Sequence, residues 1–120
     1  MDQISIRELT VFFHIGVTAQ ERANQQRLTL TVEMDRDFSN IGDDVAQTID
    51  YQAVSQRLLD FGRGRSWKLI ETLATELAET ILRDYKPSRV TVEVRKFIIP
   101  QARDVCARVT RLREAGVEGG

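Results

Sequence analysis

WKLIETLATELAETIL, residues 67–82, decides the fold. Its apolar residues fall at Leu69, Ile70, Leu73, Ala74, Leu77, Ala78, Ile81 and Leu82. That i, i+3, i+4, i+7 recurrence predicts an amphipathic helix with one buried face. No Gly or Pro interrupts the run before Pro87, so the core is expected to be built against this helix. Glu71 stands in its first turn, where the positive end of the helix dipole stabilises a carboxylate by about 0.3–1 kcal/mol. Two readings of Glu71 fit that position: an exposed first-turn residue, or a carboxylate aimed into a pocket.

Period-two patterning surrounds the helix on both sides. Ile4 and Ile6 alternate with polar residues, then Leu9, Val11 and Phe13 alternate on the opposite parity. The phase change predicts a β-bulge near Arg7–Glu8. Gly16 turns the chain, and Leu28, Leu30, Val32 and Met34 mark a second half-buried strand. The connection TAQERANQQ, residues 18–26, is too long and polar for a tight hairpin turn, and such loops often carry function. Residues 35–48 are acidic and irregular. Asp50 reads as an N-cap with Tyr51 at the first helical position, and Val54, Leu58, Leu59 and Phe61 complete a short helix closed by Gly62. The turn GRGRS contains a GxG, but between two helices rather than after a strand, so it is not read as a phosphate loop. Val90, Val92 and Val94 lead to Lys96; Pro100 breaks the chain; Val105, Ala107 and Val109 form a last strand.

The order β-β-α-α-β-β predicts an α+β domain over residues 1–113, with one antiparallel four-stranded sheet and two helices on one face. The tail 114–120 has nothing to pack and is expected to be loose. Such a sheet leaves two open edges, which subunits can satisfy by pairing into a closed ring.

A chain of 120 residues can bury a core without staples. A net charge of −1 argues against a nucleic-acid partner. The one cysteine, Cys106, excludes an internal disulfide, fits a reducing compartment and reads as a small strand residue. MDQISIREL has no apolar signal core, and no run is long enough to span a membrane, so a cytoplasmic protein is expected.

Four segments share a family likeness: FFHIGVTAQER (12–22), TIDYQAV (48–54), KLIETLA (68–74), and VEVRK (92–96) followed by IPQARDV (99–105). In this order and spacing they resemble dihydroneopterin aldolase of folate biosynthesis and its relative, dihydroneopterin triphosphate epimerase. The resemblance implies the tunnelling fold, in which subunits join their sheets into barrels, commonly octamers of two stacked tetrameric rings, with a pocket at the subunit boundary. The family usually has Lys-Pro where this chain has Lys96-Phe97, and the segment before Pro100 looks shortened. Any difference in substrate preference is expected there first.

The implied reaction is a retro-aldol cleavage of the C1′–C2′ bond of 7,8-dihydroneopterin, giving glycolaldehyde and 6-hydroxymethyl-7,8-dihydropterin. The ring's own C6=N5 imine takes the electrons, so no metal, cofactor or Schiff base is implied. Glu71 matches the family glutamate that accepts the ring's amino and N–H hydrogens together. Such charge-assisted bonds contribute roughly 1.5–3 kcal/mol each. Ile49, Leu69 and Ile70 are similar to positions whose backbone lines the pterin pocket. Lys96 resembles the catalytic lysine, Tyr51 the tyrosine that carries a proton to carbon with a bound water, and Glu21 the loop glutamate that orders that water. Without the resemblance each has a plainer reading: a strand-end lysine, a packing tyrosine and a solvated loop glutamate. His14, the lone histidine, is read as a strand or turn residue rather than a ligand. Two rivals stand beside the aldolase. An epimerase acting on a triphosphate would want cations at the mouth, with Arg22, Arg63, Arg65 and Lys68 as candidates. A non-catalytic pterin- or purine-binding module would not need Lys96 and Tyr51 together.

Overall fold

The computed structural model describes residues 1–113. Five strands and three helices follow the chain: β1 (Asp2–Ile15), α1 (Ala19–Arg22), β2 (Gln25–Arg36), α2 (Tyr51–Asp60), β3 (Ser66–Trp67), α3 (Ile70–Tyr85), β4 (Arg89–Lys96) and β5 (Val105–Leu112). A single 3-10 turn, Val45–Gln47, interrupts the connection between β2 and α2. The strands form one sheet in the order β3-β1-β2-β4-β5. Every pairing is antiparallel except β3 with β1.

The expected bulge is present. The β1–β2 register shifts between Ile6 and Leu9, where Glu8 adopts φ 54°. The extra residue restores parity, so Ile4 and Ile6 before it and Leu9 and Val11 after it meet Met34, Val32, Leu30 and Leu28 on one face of β2. Glu8 N–H, displaced from the ladder, donates to Thr31 Oγ1 at 3.0 Å.

Helix α3 covers this face. Leu73, Ala74, Leu77 and Ala78 are fully buried against Leu28, Leu30, Val32, Val90, Val92 and Val94. Val54 and Leu58 of α2 join the same core. The opposite face is polar: Arg95 donates to Glu93 at 2.6 Å and to Thr31 at 3.1 Å, and Arg108 reaches Glu93 at 3.2 Å.

Three details differ from the sequence reading. The sheet has a fifth strand, α3 starts at Ile70 rather than Trp67, and the polar loop contains a helical turn, α1. Strand β3 pairs with the edge of β1 that faces away from β2, where His14 and Ile15 meet Ser66 and Trp67. A two-residue strand carries no periodicity, and Trp67 fits the apolar phase of the helix behind it. Burial decides in favour of the strand, since Trp67 is enclosed between Phe13 and Phe61. The expectation for the tail concerns residues 114–120, outside the described part. Among the described residues no helix is long and apolar enough to cross a membrane.

Since α3 supplies the centre of the core, Leu77→Ala is expected to destabilise the fold by about 2–5 kcal/mol, because the wholly buried site cannot collapse fully. Urea unfolding of the variant checks this; a loss under about 1 kcal/mol would mean that the face is not packed as described.

Candidate active site

Chain direction brings several termini together at one end of the sheet. Strands β1, β3 and β4 finish there, and β2 and β5 begin there. Lys96 is the last residue of β4, paired across to Leu28 and Val105. Strand alternation places its side chain on the helix-covered face, in line with Val92 and Val94. Its stem is enclosed, with 12% of the side chain exposed, and its Nζ meets Glu21 Oε2 at 3.1 Å.

Local chemistry holds Glu21 in place. Thr18 caps α1, its Oγ1 accepting from Glu21 N–H at 3.1 Å. The other carboxylate oxygen, Oε1, accepts from Val17 N–H at 3.1 Å. Glu21 folds directly over Gly16: a Cβ on Gly16 would lie 2.2 Å from Glu21 Cβ and 2.8 Å from Cδ. Arg22 donates to Gly16 O and Val17 O at 2.9 and 3.0 Å, His14 Nδ1–H donates to Arg22 O at 2.7 Å, and Gln26 Nε2 donates to Ile15 O. The hydrogen bond from Lys96, followed by its charge, holds the Glu21 carboxyl below the usual range against the opposing effect of desolvation; the Val17 and Thr18 amides add to the lowering. The sequence reading gives Gly16 a turn, Arg22 a place among the candidate cations and His14 a strand or turn position, but gives none of them this bracing role. Thr18-x-x-Glu21 is a capping-box pattern and was the available signal for α1; the cradle at Gly16 had none.

The start of α3 lies at the same end. Gly16 N–H donates to Trp67 O at 3.0 Å, which ties the Glu21 loop to β3. Leu69 is the N-cap of α3, and its apolar side chain cannot cap the free N–H groups. Glu71 is exposed in the first turn, and among the described residues its carboxylate has no hydrogen-bond or ion-pair partner. Leu69 is 46% exposed, whereas Ile70 packs into the core.

Tyr51 and Ile49 lie elsewhere. Helix α2 finishes at this end, with Phe61 stacked on Trp67 and Gly62 against Phe13. Its ten residues carry its start roughly 15 Å away. Gln47, just before it, accepts a bond from Arg36 at the far end of β2. Tyr51 is therefore an exposed first-turn residue toward the opposite end of the sheet, held by the Asp50 cap, whose carboxylate accepts from Ala53 N–H at 3.2 Å. Ile49 beside it is buried in the core. One chain thus gathers Lys96, Glu21, Leu69, Ile70 and Glu71 at one end and leaves Tyr51 and Ile49 at the other.

Most of the candidate cations are engaged. Arg22 braces the loop, Arg63 pairs with Asp60 at 3.1 Å, and Arg65 pairs with Glu76. Among the described residues Arg22 bonds only to backbone carbonyls, and Lys68 has neither an ion pair nor a side-chain hydrogen bond. Phe97 stacks under Arg27 at 4.0 Å, one position beyond the last β2–β4 pair. Cys106 lies exposed in β5, its thiol pushed up by desolvation. Among the described residues no cluster of three His, Cys, Asp or Glu side chains is placed to hold a metal.

A shielded lysine–carboxylate pair beside a helix start with an open carboxylate is an arrangement that can exchange protons with a hydrogen-bonding ligand, carried by an α+β chain with open sheet edges. The sequence model of the dihydroneopterin aldolase family matches residues 4–110, and the chain belongs to that family. It is 33% identical over 114 residues to the dihydroneopterin aldolase of Haemophilus influenzae, covering 92% of this chain and 97% of the relative. The structure of a Vibrio cholerae protein named for the same activity superposes with a TM-score of 0.90 at 34% identity, covering 94% of this chain and 98% of that one. Escherichia coli dihydroneopterin aldolase, solved in complex with neopterin, superposes at 0.87 with 28% identity, covering 92% and 99%.

Two expectations follow from the pair. Lys96→Met should return the Glu21 carboxyl toward the ordinary carboxylate range, read by carboxyl NMR titration; an unmoved pKa would mean that the pair is absent in solution. Because the folded-state pKa is depressed, the contribution of the pair to stability is present above the ordinary carboxylate value and lost as pH falls through the lowered one. Gly16→Ala should displace Glu21 and lower turnover by up to about 100-fold, as misplacing a reacting group by about 1 Å can do. Steady-state kinetics on the folded variant tests this, and wild-type kcat would rule out the cradle.

Proposed function

We propose that this protein cleaves 7,8-dihydroneopterin to glycolaldehyde and 6-hydroxymethyl-7,8-dihydropterin through Lys96, Glu21, Glu71 and Tyr51. The activity is that of a dihydroneopterin aldolase, an aldehyde-lyase of folate biosynthesis. The observation that carries the assignment of residues is the Lys96–Glu21 pair, tied through Gly16 and Trp67 to the start of α3.

Glu71 accepts the amino and ring N–H hydrogens of the pterin, which fixes the ring at the mouth of α3. The side chain of the substrate then reaches Lys96 and Glu21. Through a water ordered by Glu21, the C2′ hydroxyl loses its proton. The C1′–C2′ bond breaks, its electron pair moves through C1′=C6 onto N5, and N5 takes up a proton. Glycolaldehyde leaves. The remaining enamine gains a proton at C1′, with Tyr51 as donor, and N5 gives one back. Lys96 trades these protons and Glu21 sets the position of its amine. The pterin itself provides the electron sink.

Tyr51 and Lys96 belong to opposite ends of one subunit, so a complete site takes Tyr51 from a neighbouring copy. A homo-octamer of two tetrameric rings, with the sheet edges paired between subunits, supplies that neighbour. Residues 1–113 act as one unit of this assembly, in the cytoplasm. An epimerase activity uses the same enamine, with glycolaldehyde re-adding to the other face. The engagement of Arg22, Arg63 and Arg65 within the chain favours an unphosphorylated substrate.

Incubation with 7,8-dihydroneopterin should release glycolaldehyde, with the C2′ epimer as a minor product; neither product would sink the proposal. Glu71→Ala should weaken neopterin binding roughly 10- to 100-fold, the equivalent of a charge-assisted hydrogen bond. Lys96→Ala should abolish both products while still binding neopterin. Mixing inactive Lys96→Ala with inactive Tyr51→Phe, after dissociation and reassembly, should restore part of the activity by forming some sites with neither change. No recovery in a reassembled oligomer would show that both residues serve the same site from one chain.

A further inference from the structure

We infer that Arg65 and Glu76 are positioning residues that set the start of α3, and through it Glu71. The inference rests on the proposed role of Glu71 in gripping the ring. The N-cap of α3, Leu69, makes no side-chain cap bond, so the helix start needs another anchor. Glu76, in the second turn, provides it. Its Oε1 accepts from Trp67 Nε1–H at 3.0 Å and from the guanidinium of Arg65. The short segment between Trp67 and Glu76 is closed into a loop by that bond, and Leu69, Ile70 and Glu71 lie inside it.

Arg65 locks the closure from the outside. Its guanidinium carbon sits 4.7 Å from the ring centroids of both Phe61 and Trp67. The two rings stack at 5.9 Å and 8°. A planar cation over two aromatic faces gains from both quadrupoles while still donating to a carboxylate in its own plane. The cluster continues to the reacting end, because Trp67 O accepts from Gly16 N–H at 3.0 Å and Gly16 carries Glu21. The same cluster therefore sets where Glu71 stands relative to the Lys96–Glu21 pair. It also removes Arg65 from the charges available to a phosphate.

The test uses Arg65→Ala, Arg65→Lys and Glu76→Gln in the full-length oligomer, with neopterin affinity, kcat at saturation and thermal midpoint measured for each. Arg65→Ala and Glu76→Gln should weaken neopterin binding about tenfold, while kcat at saturation stays within about threefold, since the effect is on ground-state grip. Arg65→Lys should recover part of the affinity. In a Glu71→Ala background Arg65→Ala should cause no further loss, because it acts through the missing carboxylate. An equal loss in both backgrounds, or wild-type affinity in Arg65→Ala, would overturn the inference. If Arg65→Ala fails to fold, Glu76→Gln, which keeps the acceptor for Trp67, carries the same comparison. Wild-type affinity in Glu71→Ala would instead overturn the pocket assignment, and the positioning role with it.

Discussion

The ion pair between Lys96 and Glu21 is the constraint on which the site depends. An amine whose stem is enclosed at the end of a central strand has lost much of its water and needs a counter-charge. Glu21 supplies it from a loop with little core contact of its own. The loop earns its position by hydrogen bonds instead: a Thr18 cap, two carbonyls held by Arg22, a carbonyl held by Gln26, and a glycine on which Glu21 rests without a Cβ in the way. Each of these restrains the carboxylate against turning into solvent. The lowered Glu21 pKa expresses the same coupling from the side of the acid.

Sheet topology converts this local pair into a larger site. The parallel strand β3 attaches the start of α3 to the end of β1, so a carboxylate from the middle of the chain is delivered to the end where β4 finishes. Helix α2 runs the other way. It leaves Tyr51 about one helix length distant, beyond the reach of Lys96 in the same subunit. The open edges of the sheet leave backbone groups unpaired in one copy, and the same copy holds Tyr51 apart from Lys96.

Charge on the outer parts of the chain is mostly occupied. Arginines that look like a phosphate-binding group in sequence are spent on carbonyls, carboxylates and aromatic faces. The uncovered sheet face is likewise closed on itself, with Arg95 shared between Glu93 and Thr31. An arginine in a turn is therefore weak grounds for a ligand contact until its partners are known.

Periodicity by itself determined the two main helices, the four long strands, the bulge at Glu8 and the Asp50 cap, because each depends on neighbours within a few residues. The family motifs then marked Glu21, Tyr51, Glu71 and Lys96, although those residues alone look like ordinary surface positions. Only the tertiary structure decided that Trp67 leaves the helix to form β3, that Glu21 leans over Gly16 to meet Lys96, and that Tyr51 stands at the far end. These are contacts between segments distant in sequence, chosen by burial and by unpaired backbone groups at the end of β1. No local pattern encodes them, because the energy that selects them exists only once the sheet has formed.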